Sequence, residues 1–83
     1  MEITYPNPFN PITQIQYALP KDIHIELIVY DILGRQVAEL INTDKQAGYY
    51  QAVWNGSHNA SGLYFVKMTA GNYISTQKLM LVK

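Results

Sequence analysis

Cysteine is absent from this 83-residue sequence, and neither sign of charge is in excess, since six basic residues balance six acidic ones. The missing cysteines exclude a disulfide framework and thiolate chemistry, and they fit a reducing compartment without excluding export. The balanced charge leaves no net field to attract a polyanion, and no cluster of Lys and Arg marks a nucleic-acid face. We therefore expect no nucleic-acid partner.

Long apolar runs are also missing. The longest have four residues, as at 27–30 and 79–82, far short of the roughly 20 residues that span a bilayer. No charged-then-apolar signal segment precedes Tyr5. We expect no membrane span, and we expect any export signal to lie upstream on a longer chain, of which Met1 is not the natural start.

Side chains that could catalyse a reaction are few and scattered. His24 and Glu26 share the polar face of a predicted strand, where a solvated ion pair is a better interpretation than a general base. Ser57 and His58 are neighbours in a turn, where adjacent side chains rarely point together. No paired His/Cys or Asp-x-Asp spacing is present. The sequence predicts no enzyme activity, no metal site and no cofactor.

Helical periodicity is absent too, and the residues that are abundant favour strands. The longest β-type run covers residues 23–31, in which every odd-numbered position from Ile23 to Val29 is apolar. The even-numbered face begins with His24 and Glu26 but becomes apolar at Ile28. A run with one apolar face and half of the other predicts a central strand.

Alternation predicts further short strands, separated by polar turns, over residues 13–19, 35–41, 49–54, 63–70 and 73–82. Six or seven such strands in one short chain predict an all-β fold, a small immunoglobulin-like antiparallel β-sandwich. We expect one domain over residues 1–83, with a proline-rich strap at 1–11 and the sandwich at 12–83. The inward aromatic residues would be Tyr17, Trp54 and Tyr64.

Local signals add detail to this sandwich. Gly34 should take the left-handed conformation in a hairpin that follows Asp31. The period of two breaks within residues 37–41, which predicts a bulge or an edge strand. Residues 42–48 are polar and end in glycine, which predicts a loop that crosses to the other sheet. Three of the four prolines stiffen the strap, whose Tyr5 and Phe9 could plug the end of the core.

An outward aromatic surface is the alternative functional signal. Tyr49 and Tyr73 are predicted on faces opposite the core and could stack on sugars. Scattered tyrosines on a sandwich are more often packing pairs. A carbohydrate-binding or structural accessory module of a secreted enzyme is therefore the second functional hypothesis.

Five motifs in order make the sequence resemble the C-terminal sorting domain of the type IX secretion system, type A, over residues 5–83. They are YPNPFNP at 5–11, VYDILGRQV at 29–37, GYYQAVWNG at 48–56, SGLYF at 61–65 and KLMLVK at 78–83. The sequence is also similar to the immunoglobulin-like domain of flagellar hook-capping proteins, a related fold with another role.

The resemblance implies a non-catalytic module that ends a larger exported protein. It implies covalently linked cargo domains on its N-terminal side, and passage through the periplasm to the cell surface or medium. The implied partners are the outer-membrane translocon, which recognises the folded module, and a sortase-like peptidase, which commonly removes it.

Nine residues match the family motifs and are the candidate sorting residues: Pro6, Asn7, Pro8, Gly34, Arg35, Gly62, Tyr64, Lys78 and Lys83. Each also has a structural interpretation, such as proline stiffness, a left-handed glycine or a packed tyrosine. Asn55 stands where the family usually has Asp, and the loop after it is short. If the strand at 78–83 lies at a sheet edge, a receptor could extend or contact it there.

Overall fold

A computed structural model describes residues 11–82, most of which form six β-strands. The strands are β1 (Ile12–Leu19), β2 (Ile23–Asp31), β3 (Gln36–Lys45), β4 (Gly48–Asn55), β5 (Gly62–Ala70) and β6 (Tyr73–Leu81). Every strand pair is antiparallel. The predicted all-β fold is confirmed. The described residues include no helix long and apolar enough to cross a membrane.

The strands form two sheets. One contains β1 and β4, and the other has the order β3-β2-β5-β6. β2 lies inside the larger sheet and has the bounds predicted for the central strand. Its odd-numbered residues from Ile25 to Val29 are buried because the second sheet covers that face, whereas the even-numbered face is exposed at His24 and half-buried from Glu26 onward. Among the described strands, β3 and β6 are the edges of this sheet.

The two sheets bury one core between them, which makes the domain a small immunoglobulin-like sandwich. Tyr17, Trp54 and Tyr64 are all buried, as predicted. Fully burying an aliphatic side chain contributes roughly 1.5–3 kcal/mol, so the alternating inward residues are what hold the sheets together. The other buried apolar residues are Ile15, Leu19, Ile25, Leu27, Val29, Ala52, Val66, Met68, Ala70, Leu79 and Leu81.

β3 is irregular in the way its broken alternation predicts. Its register against β2 shifts twice, which leaves Leu40 and Val37 as extra residues without a partner position on β2. It is also an edge strand. Bulges twist an edge strand and make it a poorer template for pairing with another chain, so both predicted explanations of the stutter hold.

The predicted loop at 42–48 is wrong for its first half. β3 continues to Lys45, and only residues 46–47 separate it from β4. The polar residues remain in the strand because Asn42 and Asp44 each accept a hydrogen bond from the His24 ring on β2, both at 2.7 Å. The short connection does cross to the other sheet.

Several segments distant in sequence meet at one end of the sandwich, which we call the Pro11 end. The Gly56 N–H donates to the Pro11 carbonyl at 2.9 Å. A Cβ added at Gly56 would lie 3.1 Å from Leu81. Asp31, at the end of β2, pairs with Tyr64 near the start of β5. The starts of β1 and β5 and the ends of β2, β4 and β6 therefore share this end.

Some predictions lie outside the described residues. They concern the strap, the packing of its two aromatic side chains, and the candidates Pro6, Asn7, Pro8 and Lys83. The division of the chain into a strap and a sandwich at residue 12 remains a prediction.

Candidate functional site

The hairpin between β2 and β3 is a tight turn over residues 31–35. The Asp31 N–H donates to the Arg35 carbonyl and the Gly34 N–H donates to the Asp31 carbonyl, both at 3.0 Å. Gly34 has a φ of 80°, the left-handed conformation predicted for it. A side chain there would crowd the backbone, so this turn needs glycine or a residue that tolerates that conformation.

The Asp31 side chain fastens the turn from inside. One carboxylate oxygen accepts the N–H groups of Leu33 and Arg35, both at 2.9 Å. The other accepts the Nε–H of Arg35 at 2.7 Å. The Arg35 backbone N–H, the Arg35 guanidinium and the Leu33 N–H together lower the pKa of Asp31. Asp31 was not among the candidate residues predicted from the sequence. An aspartate whose side chain accepts the backbone N–H two residues later is nevertheless a common turn signal.

Tyr64 anchors the loop that leads into β5. Its hydroxyl donates to the Ala60 carbonyl at 2.6 Å, a tyrosine corner of the kind found in immunoglobulin-like folds. Its ring meets Trp54 edge to face, with centroids 5.2 Å apart. The candidate Tyr64 therefore has a defined structural role, which is to fix residues 60–64 against the core.

Asn55 caps the start of the same loop. Its side-chain oxygen accepts the Ser57 N–H at 2.9 Å. An aspartate would offer an equivalent oxygen, so this departure from the family pattern preserves the turn.

Arg35, Gly62 and Tyr64 line one open cleft of about 310 Å³ at the Pro11 end. We call it the turn cleft, and its other lining residues are Asp31, Ile32, Leu33, Ser61 and Leu63. Gly62 has a φ of 150°, and no atom lies within 4 Å of a Cβ placed there. The missing side chain therefore leaves this wall of the cleft open. The cleft is large enough to hold a side chain or a short loop of another protein.

The last strand runs beside this cleft. Among the described strands, β6 is an edge of the larger sheet, the position at which a receptor could extend or contact it. Lys78 is exposed and pairs with Phe65, whereas Leu79 and Leu81 are buried. Lys78 does not line the cleft. The structure thus brings Arg35, Gly62 and Tyr64 together at the cleft. Gly34 lies in the adjoining turn, and Lys78 lies on the neighbouring strand.

His24 does not pair with Glu26. Its Nδ1 lies 2.7 Å from an Asp44 carboxylate oxygen and its Nε2 lies 2.7 Å from the Asn42 side-chain oxygen. Cross-strand neighbours on a sheet are closer than residues two apart on one strand, which explains the choice of partner. The hydrogen bonds to Asp44 and Asn42 raise the pKa of His24.

Tyr49 and Tyr73 do not form one platform. Tyr49 is 92% exposed on the outer face of the β1–β4 sheet. Tyr73 lies on the other sheet, in the row of β6 that continues to the buried Leu79 and Leu81. The prediction that Tyr73 lies on the face opposite the core is wrong, because it shares the face of Leu79 and Leu81. Tyr73 is exposed because it is the first residue of its strand.

These features define a small immunoglobulin-like β-sandwich in which the candidates Arg35, Gly62 and Tyr64 meet at one end. A family model described as the secretion system C-terminal sorting domain matches residues 3–83. The chain belongs to this family, the sorting domains of type IX secretion, as the sequence resemblance predicts. No curated protein and no solved structure matches it. The family is one of sorting signals and is non-enzymatic, and membership implies a secretion system, a cargo and export toward the cell surface or extracellular space.

Proposed function

We propose that this domain is a non-catalytic signal whose folded shape the outer-membrane translocon recognises from the periplasm. The observation that carries the proposal is the turn cleft. Arg35 on one side and Gly62 with Tyr64 on the other are far apart in sequence, yet they line one surface feature. A receptor that contacts this surface can distinguish the folded domain from an unfolded chain that carries the same motifs.

The buried residues of β6 support recognition of a folded domain over recognition of a linear tail. Leu79 and Leu81 belong to the core, so a deletion of residues 79–83 would unfold the domain. Such a deletion would block delivery whether the receptor contacts the tail or any other surface. Outward side chains of this strand, such as those of Lys78 and Met80, could meet a receptor without unfolding the core.

We also propose that a sortase-like peptidase removes the domain by cleavage upstream of Ile12. A cysteine peptidase needs its substrate backbone extended and unpaired. From Ile12 onward most of the backbone belongs to antiparallel strands. A cut before Ile12 would release the cargo and leave the sandwich intact.

A reporter fusion tests the sorting proposal. A reporter with its own inner-membrane export signal is joined to the N-terminal side of residues 1–83 and expressed in a host with a working type IX system. We expect the reporter at the cell surface or in the medium, and in the periplasm when the translocon is deleted. Retention in the periplasm of the working host would refute the sorting function.

A core variant of this fusion separates shape from sequence. Leu81→Asp places a charge in the core and leaves every candidate sorting residue in place. We expect the variant to remain in the periplasm. Delivery equal to that of the unchanged fusion would show that the fold is not what is recognised.

Carbohydrate binding is the second candidate, and one surface favours it. Tyr49 lies beside Gln16 and Gln51 in an open depression of about 410 Å³. An exposed ring flanked by amides can stack on a sugar and donate hydrogen bonds to its hydroxyl groups. Pull-down on insoluble polysaccharide, with Tyr49→Ala as the comparison, tests it. Failure of the unchanged domain to bind, or equal binding of both, would reject this function.

A further inference from the structure

The tip of the turn over residues 31–35 carries two large apolar side chains into solvent. Ile32 is 67% exposed and Leu33 is 72% exposed. Neither belongs to the core or to the partly buried residues packed against it. Hairpin tips are ordinarily built from Gly, Asn, Asp and Ser, so neither turn geometry nor core packing accounts for these two residues.

The tip is held in one conformation by bonds that do not use those side chains. The two backbone bonds and the three bonds to the Asp31 carboxylate described above hold the turn, and Leu33 takes part only through its backbone N–H. A binding loop that is already ordered loses less conformational entropy when it binds. The turn is therefore a rigid support that presents Ile32 and Leu33 and could bear many other residues equally well.

The surroundings of the tip point to a protein as its partner. On one side the tip borders the turn cleft, so a convex apolar projection adjoins a concavity. Leu63, which also lines the cleft, pairs with the exposed Met80 on β6, and this pair extends the apolar surface toward the last strand. A flat bilayer surface can receive a projection but cannot fill a cleft, whereas a protein surface can do both.

Charge adds a second requirement on the partner. The Arg35 side chain is 73% exposed and uses its Nε–H on Asp31. Within residues 11–82 its terminal Nη groups make no hydrogen bond, so they can donate to a partner. Guanidinium groups favour carboxylate and phosphate oxygens, and of these two a protein surface supplies carboxylates.

We propose that Ile32 and Leu33 insert into an apolar pocket of a receptor protein that has acceptor oxygens at its rim facing Arg35. This inference rests on the proposed sorting function and names the surface that the receptor contacts. Buried apolar anchors commonly carry a large share of the free energy of binding at protein interfaces. The tip would be such an anchor, and the cleft beside it would accept the receptor's own protruding group.

The test uses the reporter fusion with the double variant Ile32→Ser and Leu33→Ser, which keeps every backbone bond of the turn. The matched control is Val53→Thr with Ile74→Thr, two exposed apolar residues that do not line the turn cleft. We expect equal urea midpoints for the three purified domains. Delivery of the tip variant should fall about tenfold or more, while the control is delivered normally.

The possible outcomes distinguish failure of the proposed tip contact from failure of the proposed sorting function. Normal delivery of both variants would overturn the tip as an anchor and leave the sorting function standing, whereas failure of the unchanged fusion would refute both. Two measurements on the purified domain test other occupants. Tip-dependent binding to phospholipid vesicles would assign the tip to a membrane, and tip-dependent dimerisation in sedimentation would assign it to a second copy. Either result would overturn the proposal.

Arg35→Met tests the polar half of the proposed contact, because it keeps a long side chain and removes every side-chain donor. We expect delivery to fall several-fold, by less than in the tip variant, with Arg35→Lys intermediate. Delivery of Arg35→Met at the level of the unchanged fusion would remove the acceptor rim from the proposal.

Discussion

The rings of Trp54 and Tyr64 meet edge to face across the two sheets, with centroids 5.2 Å apart and an interplanar angle of 65°. Trp54 lies near the end of β4 in the smaller sheet, and Tyr64 lies near the start of β5 in the larger one. The same Tyr64 ring carries the hydroxyl that bonds Ala60. One side chain thus joins the sheets and fixes the loop that forms a wall of the turn cleft.

Tyr64→Phe should destabilise the domain by about 1 kcal/mol, the usual net contribution of one hydrogen bond. The ring contact with Trp54 remains, so the loss reports on the bond to Ala60. Urea unfolding, followed by the fluorescence of the single tryptophan, measures it. Tyr49→Phe is the matched control, and its exposed hydroxyl should change stability by less than about 0.5 kcal/mol. Equal urea midpoints for the two variants would show that the hydrogen bond from Tyr64 to Ala60 does not stabilise the domain.

Gly34→Ala should cost about 1 kcal/mol of unfolding free energy. No atom lies within 4 Å of a Cβ at this position, so the cost comes from backbone conformation and not from a clash. Gly34→Asn should cost less, since asparagine enters the left-handed region more readily. The ranking Gly, Asn, Ala in urea midpoints tests this. Alanine equal to glycine would mean that the turn relaxes.

Stability should fall as the pH rises past the ordinary pKa of His24, near 6.5. Hydrogen bonds to Asp44 and Asn42 raise the pKa of His24 in the folded state. The stabilisation is therefore complete below the unfolded pKa and is lost as the pH rises through the folded pKa. Both ring nitrogens face oxygen atoms, and only the imidazolium can donate to both.

Urea midpoints of the wild type and His24→Gln, measured from pH 5 upward, test the role of His24. The difference between the two proteins should shrink as the pH rises. Asp44→Asn should remove most of this slope and Glu26→Gln little, because Glu26 is the weakest contributor to the raised pKa. An unchanged slope in Asp44→Asn would contradict the network.

The pH dependence of the free energy of unfolding in the acid range should depend on Asp31. Its folded pKa is lowered, first by the Arg35 backbone N–H and then by the Arg35 guanidinium. Its contribution to stability is present above the unfolded pKa, about 3.9, and is lost as the pH falls through the folded value. The gap in stability between the wild type and Asp31→Asn should therefore close below about pH 4. A gap that persists under acid conditions would show that geometry, not charge, fastens the turn.

Several features of this domain were readable from the sequence. The bounds of β2, the left-handed Gly34, the irregular β3 and the inward aromatic residues follow from alternation and turn chemistry, which are local properties. The first half of the loop predicted at 42–48 was wrong, since the cross-strand bonds of His24 to Asn42 and Asp44 hold these polar residues in β3. Pairing between strands is not encoded in the alternation of either strand alone.

The sequence by itself determined the strand content, the turn types and the family, because each depends on residue order within a few positions or on motifs in succession. Only the tertiary structure decided that Arg35 lies beside Gly62 and Tyr64 and that Leu81 is buried. It also decided that Ile32 and Leu33 are exposed at the tip of a hydrogen-bonded turn. Those relations depend on which strands pair and how the sheets stack. They arise from contacts between residues far apart in the chain, and no local pattern records them.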